Sequence, residues 1–94
     1  MLSKKEKNRM DSLGTALIAR PDHVGDSISL AIYDADKNPL RIKIVRDREE
    51  TEPLGSAVWD RCFIIRPGSS PDYWESVGNR YGLMRAIEAY YDAD

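Results

Sequence analysis

Between Ser27 and Arg46 the chain alternates with a period of two. Ile28, Leu30 and Ile32 point one way, opposite Ser29, Ala31 and Tyr33; after the polar stretch Asp34–Pro39, Leu40, Ile42 and Ile44 alternate with Arg41, Lys43 and Val45. That period sends each set to one face of an extended strand. Two such runs around an Asp/Asn/Pro-rich turn form a β-hairpin. A hairpin with one apolar face needs a covering layer, so the rest of the chain must supply it. A third run, Ala57–Arg66, places Phe63 and Ile65 on one side and Cys62 and Ile64 on the other. A strand apolar on both sides belongs in the middle of a sheet. Strands are therefore expected at about 27–33, 40–46 and 57–66.

The covering elements are read from helical spacing. Ser3 with Glu6 three residues later has the capping-box pattern, and Met10, Leu13 and Leu17 recur at intervals of three and four, so a helix is expected at about 3–19 with those three residues turned inward. Pro21 ends it. Ser70-Pro71 followed by Asp72 and Glu75 reads as a helix start, with Trp74, Val77 and Tyr81, then Leu83, Ile87 and Tyr90 or Tyr91, at helical spacing. The segment 71–92 is thus expected to be one helix, or two separated at Gly78-Asn79. Gly78 and Gly82 weaken a continuous helix and permit close approach of another backbone. At 94 residues the chain is the size of one domain, 1–94. The fold class is α+β: a small two-layer domain of helix, three-stranded antiparallel meander and C-terminal helix or helix pair.

Several chemistries are poorly supplied. The chain has one cysteine, Cys62, and one histidine, His23, in different segments, which excludes an internal disulfide and makes a zinc site or a Cys–His nucleophile unexpected. Asp34, Asp36 and Asn38 are spaced like the opening of a calcium loop, but the sixth and twelfth positions are Pro39 and Val45 in place of Gly and Glu. No glycine-rich phosphate loop and no nucleophile-elbow motif is present. No metal, no cofactor and no catalytic residue is expected, and a small enzyme relying on His23 is the weakest reading. The start of the sequence lacks the apolar run of a secretory signal, and the longest strictly apolar run is Cys62–Ile65, far short of a membrane span. A cytoplasmic protein is the expectation, with Cys62 a small buried hydrophobe in a reducing compartment.

What remains is binding. Lys and Arg total 14 against 16 Asp and Glu, a net charge of −2, which argues against a strongly basic nucleic-acid binder. If the helices pack on one side of the sheet, the other side presents aliphatic and aromatic residues beside Arg and Tyr, the composition of a binding hot spot. The residues selected on this ground are Tyr33, Arg41, Lys43, Trp59 and Arg61 on the sheet, with Trp74 and Tyr81 on the last helical segment. The leading reading is a protein-binding module, a steric inhibitor, adaptor or regulator of a larger protein or complex, of a kind frequent among phage and mobile-element accessory proteins. The alternative is a nucleic-acid-binding module using the basic arm Lys4, Lys5, Lys7 and Arg9 together with Arg41 and Lys43; Asp60 on the neighbouring strand counts against it. A thin two-layer domain also gains apolar burial by covering an open sheet face or edge strand, so a homodimer is a further expectation.

Overall fold

The computed structural model describes residues 2–47 and 60–93. In chain order these form α1 (Lys4–Ile18), β1 (Ser27–Ile32), β2 (Leu40–Arg46), β3 (Asp60–Ile65), β4 (Glu75–Gly78) and α2 (Arg80–Asp92). The strands make one antiparallel sheet in the order β1-β2-β3-β4, so the α+β layering holds and β3 is an interior strand as expected. The sheet has four strands rather than three. In register, Lys43 lies between Ser29 and Phe63, and Arg41 between Ala31 and Ile65.

The extra strand is a correction. Residues 71–78 are not helical: Ser70 closes a turn with Tyr73, and Glu75–Gly78 pairs with β3. Ser-Pro followed by acidic residues marks a turn as readily as a helix start, and the edge of β3 offers this short aromatic and β-branched stretch a hydrogen-bonding partner. Trp74 therefore stands just before β4, not on a helix. The helix begins after the suspected break: Asn79 is its N-cap, accepting from the amides of Tyr81 and Gly82, and Gly78 adopts a left-handed φ of 87° that frees the chain to turn. Gly82 then presses against β4. A Cβ there would lie 1.7 Å from the carbonyl oxygen of Val77.

One cluster forms the core. Ile32, Leu40, Ile42, Ile44, Cys62 and Ile64 meet Ala16 of α1 and Leu83, Ala86, Ile87, Tyr90 and Tyr91 of α2. All six strand residues share one face of the sheet, so both helices cover that face. Among the described residues no helix covers the other.

The rotation of α1 differs from the amphipathic reading. Leu13 packs on the core, but Met10, Leu17 and Ile18 are exposed, Ile18 at 83%. Polar tethers set the orientation. Ser12 Oγ lies 2.7 Å from the Tyr91 hydroxyl, and the buried Arg80 donates to the carbonyls of Ala16, Leu17 and Ala19 at the end of α1. Arg80 also donates to Asp60 at 3.0 Å, and Arg20 sits 3.2 Å from the same carboxylate. The guanidinium thus satisfies the orphan carbonyls of a helix that ends without a glycine cap. At the other end of the molecule Lys37 plays the same part for α2, donating to the carbonyls of Tyr90 and Ala93.

Candidate interaction surface

The uncovered face of the sheet carries Ser29 and Ala31 from β1, Arg41, Lys43 and Val45 from β2, and Arg61, Phe63 and Ile65 from β3. They alternate with the core residues and so point away from the helices. Ile65 is only 4% exposed although no helix among the described residues covers it. Trp74 stands on the same face. The β3–β4 register, Phe63 with Ser76 and Ile64 with Glu75, leads back to Trp74 beside Ile65. From there the indole crosses to β2, where Arg41 lies 5.6 Å and Lys43 4.7 Å from the ring centre. Lys43 is also 5.1 Å from the Phe63 ring. Each such cation–ring contact contributes ~0.5–1 kcal/mol at a partly exposed site.

These contacts leave charge uncompensated. Arg61 on this face pairs with Asp47 at 3.4 Å, and Arg66 holds Glu75 through two hydrogen bonds of 2.9 and 3.1 Å. That fork keeps the Glu75 carboxyl below its ordinary value. Among the described residues neither Arg41 nor Lys43 has a carboxylate within salt-bridge reach; each rests on an aromatic ring instead. The centre of the face is therefore two cations on a platform of Trp74, Phe63 and Ile65. Asp60 does not oppose this basic face, because it is buried on the helix side with Arg80.

The structure brings together Arg41, Lys43 and Trp74, with Arg61 nearby on the same face. Tyr33 lies just beyond β1, exposed, its carbonyl accepting from Tyr91. Tyr81 is exposed on the first turn of α2, in the helical layer. Trp59 lies outside the described residues. Lys4, Lys5, Lys7 and Arg9 belong to α1, also in the helical layer, and Arg9 lies 3.6 Å from both Glu88 and Asp92 of α2. The basic arm and Arg41/Lys43 thus face opposite sides of the molecule. The alternation of Phe63 and Ile65 with Cys62 and Ile64 was legible, but which pair turns outward was not; the pairing of Phe63 with Lys43 and of Cys62 with Ile44 decides it. The role of Trp74 was hidden by its assignment to a helix.

Other features supply little chemistry. A cleft of about 500 Å³ beside the end of α2 is lined by Leu40, Ala86, Ala89 and Tyr90 with Lys37 and Arg66 at its margin, and both cations are already engaged. Cys62 is buried, and burial pushes its thiol up to about 11, away from the reactive thiolate. Among the described residues no group of three or more His, Cys, Asp or Glu is placed to hold a metal, and no helix is long and apolar enough to cross a membrane. Comparison with protein-family models, curated proteins and solved structures gives no match.

Proposed function

We propose that the protein is a protein-binding module of the cytoplasm that acts by occupancy, as an inhibitor, adaptor or regulator, docking the open face of its sheet on an acidic surface of a larger protein. The observation that carries this reading is the pair Arg41 and Lys43, held on Trp74 and Phe63 without carboxylate partners among the described residues. An acidic partner replaces part of the water around those two cations, and its apolar side chains meet the aromatic platform between them. Arg and Trp supply the anchors, and the rest of the face supplies shape.

The nucleic-acid alternative asks the arm and the sheet cations to follow one backbone. Their positions on opposite layers support a protein partner over a continuous phosphate track. The test uses two probes on the isotopically labelled protein: a synthetic peptide rich in Glu and Asp with interspersed Leu and Phe, and a 20-nucleotide oligo-dT. The peptide is expected to shift the amide signals of Arg41, Lys43 and Phe63 and the Trp74 indole signal, and Lys43→Glu to remove those shifts. Shifts from the oligonucleotide with none from the peptide would transfer the face to nucleic acid.

A further inference from the structure

The sheet has two edges, and they differ in how they are defended. The β4 edge is four residues long, follows a register irregularity at Cys62/Phe63, carries the ion-paired Glu75 and ends at the left-handed Gly78. Short length, charge and irregularity are the devices that keep an edge from recruiting another strand. The β1 edge has none of them. Its sequence Ser27-Ile28-Ser29-Leu30-Ala31-Ile32 pairs with β2 without a bulge and contains no charge, no glycine and no proline. Along such an edge alternate residues aim their N–H and C=O groups away from the sheet.

The helical layer also stops short there. Ile28 and Leu30 belong to the core face yet remain half-exposed, whereas Ile42 and Ile44, their neighbours on β2, are fully buried. Beside Leu30 runs an open groove of about 390 Å³ whose far wall is the flank of α1 at Asn8, Asp11, Ser12 and Thr15.

We infer that the β1 edge is a self-association surface whose occupant is the β1 strand of a second copy of this chain, paired antiparallel about a two-fold axis. Antiparallel self-pairing sets the axis residue against its own copy and every other residue against one equally far beyond the axis, so a strand of like charges would repel itself; β1 carries none. The flanking carboxylates choose the register. Centring on Leu30 would set Asp26 opposite the second copy's Asp34. Centring on Ser29 avoids that encounter and sets Ser29 opposite Ser29 and Ile28 opposite Leu30, so the half-exposed aliphatic pair of each chain covers that of the other. The result is a continuous eight-stranded sheet with both helical layers on one side and two Arg41/Lys43/Trp74 platforms on the other. A six-residue edge is only ~20 Å long and covers less than the ~800 Å² per partner of a standard interface, so the dimer forms at micromolar or higher concentration.

Ser29→Cys tests the register directly. Residues facing each other across an antiparallel pair have Cβ atoms ~4.5–5.5 Å apart, near enough for a disulfide after slight adjustment. The native Cys62 is buried and does not compete. Mild oxidation at ~100 μM, well above a low-micromolar Kd, is expected to link Ser29→Cys chains at least ~10-fold faster than Ser76→Cys chains, whose thiol sits on the far edge. Light scattering is expected to show wild-type mass rising with concentration towards twice 10.7 kDa, and Ser29→Lys staying at the monomer mass with unchanged circular dichroism. Equal linking rates for the two cysteine variants would overturn the inference. So would a wild-type protein that remains monomeric up to ~1 mM, a concentration at which even very weak specific pairs form.

Discussion

The two faces of this sheet are made by the same strands and differ in chemistry. On the helix side Leu40, Ile42, Ile44, Cys62 and Ile64 are sealed from water, and the buried charges have partners, Asp60 with Arg80 and Asp34 with Lys37. On the open side Arg41, Lys43 and Arg61 alternate with those core residues one by one, and the Trp74 indole lies against the first two. Period-two alternation therefore separates the core from the proposed binding surface at a resolution of one residue. Substitutions one position apart should differ sharply in kind: those on the helix side should unfold the protein, and those on the open side should leave it folded and unable to bind.

The largest effect is expected from Asp60→Ala. It removes the shared acceptor of Arg20 and Arg80, leaving a buried cation without its counter-ion, at a cost of ~3–5 kcal/mol. Denaturant titration followed by circular dichroism measures it. A loss under ~1 kcal/mol would mean that the α1 carbonyls alone hold Arg80 and that the network is less central than its burial implies. Gly82→Ala comes next. The added methyl meets the Val77 backbone, so α2 must lift from β4, at ~3 kcal/mol, the upper part of the range for overpacking. Near-wild-type stability would show that α2 has room to shift over the sheet edge.

How much of this was legible in the sequence follows from the length over which each signal repeats. The hairpin spans two alternating runs around a polar turn, and its strands appear at 27–32 and 40–46. The Ser3–Glu6 cap is present, with Ser3 Oγ accepting from the Glu6 amide at 3.1 Å. The inward face of α1 was not legible. Its orientation is fixed by Ser12 and Arg80, polar groups whose partners Tyr91 and Asp60 are distant in sequence. β4 is too short for alternation to register, and its existence depends on the free edge of β3. The candidate surface divides in the same way. Arg41 and Lys43 follow from strand parity; Phe63 is placed beside them only by its pairing with Lys43, and Trp74 joins them only once β4 brings it alongside Ile65.

A smaller effect separates the faces by pH. The Cys62 thiol, ordinarily near 9.0, is pushed up to about 11, chiefly by burial, with Arg80 opposing and Asp60 adding to the shift. Below pH 9 the thiol is protonated in both states and this contribution is fully present. As pH rises past 9 the unfolded chain loses the proton first, so stability falls through the window from 9 to 11. Tyr90, raised by burial, acts in the same direction. Comparing Cys62→Ala with wild type isolates the thiol. Between pH 8 and 10.5 the wild type is expected to lose ~1–2 kcal/mol more than the variant. Equal losses would mean that Cys62 is open to water.

The smallest expected change in stability belongs to Arg41→Glu, and it sharpens the comparison most. Arg41 is exposed, and its guanidinium lies 5.6 Å from the centre of the Trp74 ring, close to the outer limit for a useful cation–ring attraction. Its neighbours in β2, Leu40 and Ile42, are buried. Reversing its charge should alter unfolding free energy by no more than ~0.5 kcal/mol, a change of about 2–4 °C in Tm for a chain of this size. The same reversal places a carboxylate beside Lys43 and compensates the one cation left, so affinity for an acidic peptide should fall at least ~10-fold, or ~1.4 kcal/mol. Calorimetry of unfolding and of binding on the same samples reads both numbers. A stability loss as large as that of a core truncation would make Arg41 a structural clamp on Trp74, and the division of labour between the two faces would then fail at its most exposed residue.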